Sequence, residues 1–179
     1  MKKSLLLLMI VPMLGLGQGY EFYMQKGEEY ELIGEWDKVI DSYSKSIYEI
    51  EKLRTDAVYV KSSDKEVDKW RIRCLLFWMR GRAYVAKATT AEDKYYSARL
   101  GFFWYNEEWL QLAVSDFTKS ISIMKTNSDK EFDLAYFMRG KARQYLDAGK
   151  GTIDFCSDYK KACDLGKDDG CKSYYTKCK

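Results

Sequence analysis

The chain has 179 residues, with 30 lysines and arginines against 27 aspartates and glutamates, and it contains no histidine. The formal charge is +3, or +1 without Lys2 and Lys3, and the latter is too near neutral to suggest polyanion binding, so nucleic acid is not expected as a partner. The missing imidazole removes the commonest general base, the usual hydrolytic triads and most catalytic metal sites.

Lys2 and Lys3, an apolar run from Leu5 to Val11, the break at Pro12 and small Gly15 and Gly17 before Gln18 predict a signal peptide over residues 1–17. The run is far shorter than the roughly 20 apolar residues of a transmembrane helix. Gln18 stands where a lipoprotein carries its acylated cysteine, so the expectation is a soluble exported protein, periplasmic or secreted. Loss of Lys2 and Lys3 lowers the formal charge from +3 to +1. The remaining chain suffices for one compact domain, residues 18–179. The sequence's one proline, Pro12, lies in the leader, so long helices are allowed throughout the rest and no linker is marked.

Two phrases then recur in order. Tyr23-Met24-Gln25-Lys26-Gly27 returns as Phe77-Trp78-Met79-Arg80-Gly81 and as Tyr136-Phe137-Met138-Arg139-Gly140. Downstream of each stands a second phrase: Asp41-Ser42-Tyr43-Ser44-Lys45-Ser46-Ile47, Ser115-Asp116-Phe117-Thr118-Lys119-Ser120-Ile121 and Ser157-Asp158-Tyr159-Lys160-Lys161-Ala162-Cys163. Such self-similarity predicts stacked units, none of which buries its apolar face alone. Helical periodicity places each phrase on its own helix, giving units at about 20–62, 64–126 and 130–165. In the first, Gly34 stops one helix and Asp37 suits the first turn of the next. Gly27, Gly81 and Gly140 fall mid-helix, where glycine costs about 1 kcal/mol against alanine. Their shared register predicts close helix approach, with Tyr43, Phe117 or Tyr159 filling the space nearby.

The spacing from glycine to second-helix aromatic is 16 residues in the first unit (27 to 43), 36 in the second (81 to 117) and 19 in the third (140 to 159). Paired lengthening of the second unit's helices is the expectation. It would place Tyr95, Tyr96, Phe102, Phe103, Trp104 and Tyr105 at or near an aromatic tip, a candidate contact surface if exposed.

Cys156, Cys163, Cys171 and Cys178 are spaced by 7, 8 and 7. Seven residues is nearly two helical turns, so each outer–inner pair shares a helix face and lies too far apart along it to bridge. If the helices either side of Leu165-Gly166 run antiparallel, Cys163 aligns with Cys171 and Cys156 with Cys178 as two rungs, closing a cap over residues 166–179. Zinc is the competing use of four cysteines, although its ligands usually come in pairs two to four residues apart. Cys74, beside Leu75, Leu76 and Phe77, reads as a small buried hydrophobe.

Lys26, Gly27, Tyr30, Gly34, Trp36, Val39, Tyr43 and Ser46 resemble the tetratricopeptide repeat. Gly81, Ala83, Tyr84, Ala113, Phe117 and Ser120 look like a second copy, and Gly140, Ala142, Tyr159 and Ala162 like a third. The resemblance implies an all-α fold, an α-α superhelix of about three helical hairpins plus a C-terminal capping helix. Its irregular spacing departs from the family's even superhelix. The Cys163–Cys171 spacing also resembles the disulfide-bridged hairpins of cysteine-rich SEL-type repeats, over that segment only. In tetratricopeptide-like stacks the first helices line a concave surface that receives a peptide or a partner's helix. Carried over, the groove candidates are Met24, Glu28 and Glu31, then Trp78, Arg82 and Val85, then Phe137, Lys141 and Gln144. The family's carboxylate clamp needs lysine, asparagine and arginine where this chain has Met24, Glu28, Met79, Leu134 and Met138, so a free chaperone-type C-terminus is not the implied ligand.

Ser42-x-x-Lys45 and Ser157-x-x-Lys160 match a nucleophile spacing, yet both lie inside the repeated helical phrase, which explains them structurally. Glu28 and Glu31 are the remaining enzyme candidate, as paired carboxylates for hydrolysis. No glycine-rich phosphate loop, calcium loop or nucleotide fingerprint is present. The expected function is therefore a non-catalytic scaffold for a protein or peptide partner, with no cofactor. A structural subunit of an envelope or secretion complex is the alternative, and a carboxylate hydrolase the remote one.

Overall fold

The computed structural model describes residues 19–60, 65–90, 95–97, 102–128, 131–147 and 151–179. The signal peptide expected over residues 1–17 lies outside them. The described residues form seven helices: α1 (Tyr20–Leu32), α2 (Trp36–Lys52), α3 (Lys69–Ala88), α4 (Glu107–Asn127), α5 (Asp133–Asp147), α6 (Cys156–Asp164) and α7 (Asp168–Lys177). The fold is all-α: three successive hairpins, α1–α2, α3–α4 and α5–α6, with α7 on the last, each helix packed on its neighbours in the chain. The core passes down this stack in three clusters. The first lies between α1, α2 and α3, the second between α3, α4 and α5, the third between α4, α5 and α6.

Two helix ends show how the chain reverses. At the end of α1, Gly34 takes φ +73°, its N–H bonding Glu31 O and the Glu35 N–H bonding Tyr30 O. Gly166 at φ +89° repeats the arrangement after α6, with Gly166 N to Cys163 O and Lys167 N to Ala162 O. Both are Schellman turns, whose left-handed residue is easiest for glycine.

The three repeated glycines meet the three repeated rings. A Cβ added at Gly27 would lie 2.4 Å from Tyr43, one at Gly81 2.8 Å from Phe117, and one at Gly140 2.9 Å from Tyr159. All three rings are almost wholly buried. Gly170 of α7 makes a fourth close crossing, its missing Cβ 2.8 Å from that of Ala162. Three residues past each ring stands a small residue with no exposure, Ser46, Ser120 or Ala162. Ser46 donates to Tyr20 O at 2.6 Å and Ser120 to Cys74 O at 2.9 Å, each tying a second helix to the start of the first. Cys74 is itself 2% exposed, with Sγ 3.2 Å from Ser120 Oγ. Burial pushes its thiol pKa up against that hydrogen bond.

The extra residues around the second unit do not go mainly into longer helices. α3 runs seven residues past Gly81 and α4 starts ten before Phe117, against five and seven for the matching ends of α1 and α2. Most of the excess forms two antiparallel hairpins, β1 (Ala57–Val60) with β2 (Lys65–Asp68) and β3 (Tyr95–Ser97) with β4 (Phe102–Trp104). The β-branched and aromatic runs Ala57-Val58-Tyr59-Val60 and Phe102-Phe103-Trp104 suit a pleated ribbon, and that preference prevails over continuation of the helix period. Val58 and Val67 face each other across the first ribbon and pack on the first core.

The α6–α7 pair carries both expected bridges. Cys156–Cys178 spans Cα atoms 5.8 Å apart and Cys163–Cys171 4.4 Å. Sulfurs joined to one another leave no thiolate for zinc, so the competing metal use falls away. The loop before α6 is held separately. The buried Asp147 carboxylate accepts from the N–H groups of Gly151, Thr152 and Ile153 at 2.9, 2.7 and 2.9 Å. Burial would raise its pKa, but those backbone donors outweigh it and hold the carboxyl below the usual range.

Gly81→Ala should gain about 1 kcal/mol of helix propensity and lose about 1–3 kcal/mol to overpacking on Phe117, a net fall in melting temperature. Gly27→Ala, with the shorter approach, should fall further; an unchanged or raised midpoint in thermal denaturation would refute the close-packed crossing. Disulfide loops of 8 and 22 residues give entropic stabilisations of about 2.5 and 3.4 kcal/mol. Denaturant titration should therefore find Cys156→Ser with Cys178→Ser costlier than Cys163→Ser with Cys171→Ser.

Candidate functional site

Each first helix presents three register positions relative to its glycine: three before, one after and four after. The positions three before are Met24, Trp78 and Phe137, all half-buried. Trp78 borders all three core clusters, its ring 5.8 Å from that of Phe132 and its buried Nε1 without an acceptor among the described residues. Met24 packs against the first cluster and Phe137 against the third, the latter 5.9 Å from the Tyr159 ring. These side chains are a strip whose inner edges belong to the core.

The positions one after the glycine are Glu28, Arg82 and Lys141. Glu28 is exposed. The Arg82 guanidinium lies 4.9 Å over the Trp78 ring and donates through Nη2 to Glu31 Oε1 at 2.6 Å. The Lys141 ammonium lies 5.8 Å from the Tyr145 ring. One acidic and two basic groups thus edge the apolar strip, and the Glu31–Arg82 pair ties the first unit to the second across it.

The positions four after the glycine, Glu31, Val85 and Gln144, turn toward the second helices instead. The Tyr43 hydroxyl donates to Glu31 Oε2 at 3.3 Å and the Tyr159 hydroxyl to Gln144 Oε1 at 2.7 Å. Phe117 has no hydroxyl, and opposite it stands buried, apolar Val85. Acceptor goes with tyrosine and hydrocarbon with phenylalanine, because a buried hydroxyl without a partner costs about 1–3 kcal/mol. Burial, reinforced by neighbouring negative charge, pushes the Tyr43 phenol pKa upward, and burial does the same at Tyr159, so both stay neutral donors. Gln144 also accepts from Lys177 of α7 at 2.8 Å. These three residues serve the repeat's interior more than an open groove.

Tyr105 is not at a free tip. Its ring centroid is 4.6 Å from that of Tyr145 of α5, at the base of the β3–β4 ribbon. The side chains of Phe102, Phe103 and Trp104 lie outside the described part of the chain.

A functional pattern inside the quoted phrases escaped sequence reasoning. Arg80 and Arg139 stand just before their glycines, and Asp116 and Asp158 just before their rings. Arg80 clasps Asp116 through Nε and Nη2 at 2.7 and 2.9 Å, and Nη1 donates to Ser44 on the preceding hairpin at 3.0 Å. Arg139 clasps Asp158 with Nη2 at 2.7 Å and reaches back to Thr118 at 3.1 Å. Ser44 and Thr118 hold the same place, one residue past the ring. The first unit has Lys26 and Ser42 at the paired positions, and Lys26 turns outward to Glu29. The shared signal was the Arg-Gly and Asp-aromatic spelling of the second and third units against its absence in the first. Among the described residues no group of three histidine, cysteine, aspartate or glutamate side chains is assembled for a metal ion.

In a double-mutant cycle on the third unit, Gln144→Val should cost about 1–3 kcal/mol by stranding the Tyr159 hydroxyl. Tyr159→Phe should restore most of that loss in the double variant, reproducing the second unit's own pair. Additive losses in urea titration would disprove the coupling. No family model matches the chain, and neither a curated protein nor a solved structure shows significant similarity to it.

Proposed function

We propose that this chain is an exported, tetratricopeptide-like scaffold that holds a protein or peptide partner on its first-helix face, without turnover or cofactor. The observation that carries this reading is the strip of Met24, Trp78 and Phe137 on three successive first helices, edged by Glu28, Arg82 and Lys141. A half-open apolar strip with a charged rim suits an anchoring side chain flanked by polar contacts. Glu31, Val85 and Gln144 support that face from beneath.

Two observations favour the scaffold over its rivals. The carboxylate of Glu31 is held by Arg82 and Tyr43, an arrangement that serves packing better than acid–base work. Tyr105 packs on Tyr145 of α5, so that ring is taken up within the stack and is not itself offered as an assembly contact. An extracytoplasmic site is supported by the two disulfides, which persist where thiols are oxidised, together with the leader pattern at residues 1–17. None of the described helices is long and apolar enough to cross a membrane.

Crosslinking in the native envelope followed by mass spectrometry should identify the partner. Reversing the rim with Glu28→Lys and Lys141→Glu should reduce its capture at least fivefold while leaving the melting temperature within about 2 °C, since Glu28 is exposed and Lys141 partly so, and solvated charges contribute little to folding. Undiminished capture by that folded variant would exclude the first-helix face.

A further inference from the structure

The opposite side of the stack holds a cleft of about 450 Å³ between α2 and α4, floored by α3. Ile47, Phe77 and Ile123 supply apolar wall, while Arg73, Lys119 and Glu51 supply charge. The volume falls within the usual range for small-ligand sites. Arg80 also lines it but is already clasped by Asp116. Its guanidinium and the Lys119 ammonium lie 5.6 and 5.3 Å from the Phe77 ring.

The repeat itself serves as an internal control. Lys45, Lys119 and Lys161 hold the same register, two residues past the ring. Lys45 pairs with Asp41 at 2.7 Å and Lys161 with Glu131 at 2.7 Å. Lys119 has no carboxylate partner among the described residues, and Ser115 stands where Lys45 has Asp41. Arg73 adds a second irregularity. One Nη reaches Glu51 at 3.2 Å, while its buried Nε–H has no acceptor among the described residues. A buried donor without a partner is costly, and an acceptor brought to this guanidinium would relieve that.

We propose that this cleft binds a small monocarboxylate carried on a flat or extended apolar body. The carboxylate accepts from Arg73 and Lys119, and the body lies against Phe77 between Ile47 and Ile123. With Arg80 neutralised by Asp116, the charges of Arg73 and Lys119 exceed that of Glu51 by one, which matches a monoanion; a dianionic phosphate would leave the site negative. This face is separate from the first-helix strip, so either assignment can fail alone.

The probe is 4-phenylbutyrate, titrated into the disulfide-intact chain while the methyl resonances of Ile47 and Ile123 are followed. Saturable shifts are expected, with 4-phenylbutyramide at least tenfold weaker. Lys119→Met should weaken binding at least fivefold, as should Ser115→Asp, which supplies Lys119 with the partner that Lys45 has. Lys161→Met should leave it unchanged. Both altered residues are exposed, so folding is expected to survive, and the thermal midpoint checks this. No saturable shift, equal binding of the amide, or undiminished binding by both Lys119→Met and Ser115→Asp would overturn the proposal.

Discussion

The stack depends on an aromatic ring packed against a helix that has no side chain at the point of contact. Tyr43, Phe117 and Tyr159 fill the space that a Cβ at Gly27, Gly81 or Gly140 would claim. Each glycine costs about 1 kcal/mol of helix propensity. Each buried ring returns about 1.5–3 kcal/mol from apolar area removed from water, so the exchange favours folding. Once the ring is seated, other positions follow from helix geometry. Its para edge points one turn along the first helix, toward Glu31, Val85 or Gln144. The residue three further along the second helix comes against the start of the first and must be small, as Ser46, Ser120 and Ala162 are.

The Arg–Asp clasp beside each later ring acts at a different level. Asp116 and Asp158 are nearly inaccessible, and desolvating a carboxylate and a guanidinium offsets most of their attraction. The clasp therefore adds little net stability compared with an apolar pair of similar shape. It differs from such a pair in direction. A bidentate carboxylate contact fixes the guanidinium plane, and the remaining Nη1 can then meet only a hydroxyl on the preceding hairpin, Ser44 or Thr118. A hydrophobic contact would allow neighbouring hairpins to slide, whereas this one sets their register. Lys26 and Ser42 in the first unit have no earlier described hairpin to address, and Lys160 in the third turns instead to Asp164.

Much of this was legible in the residues, for identifiable reasons. The glycines and rings were readable because they recur at fixed register, and the cysteine rungs because a spacing of 7, 8 and 7 leaves few ways to pair across two short helices. The ribbons were not. Residues 53–68 hold no glycine or proline to stop a helical period and residues 89–106 hold only Gly101, so the strand preference of Val58, Val60 and Phe102 to Trp104 emerges only against that background. The inward turn of Glu31, Val85 and Gln144 was also hidden. A residue's side of a helix is set to within one position, and the choice between groove and interior depends on where the following ring lies. Comparing the three units with one another would have found it, since tyrosine meets an oxygen acceptor twice and phenylalanine meets valine once.

That comparison also separates packing from the rest of the surface. Positions that repeat in all three units are explained by the crossing they build and need no further role. The middle unit is where repetition breaks: among the described residues, Arg73 holds a buried N–H without a partner and Lys119 lacks the carboxylate that its counterparts have. Neither departure improves the core. An unsatisfied donor is a cost, and a lysine with no facing carboxylate forgoes the attraction that its counterparts have. Such costs are borne by a folded chain where something outside it completes the arrangement. The apolar strip on the first helices invites the same argument more weakly, because Trp78 and Met24 already serve the core from their inner edges. The cleft between α2 and α4 is thus the place where packing alone accounts for least.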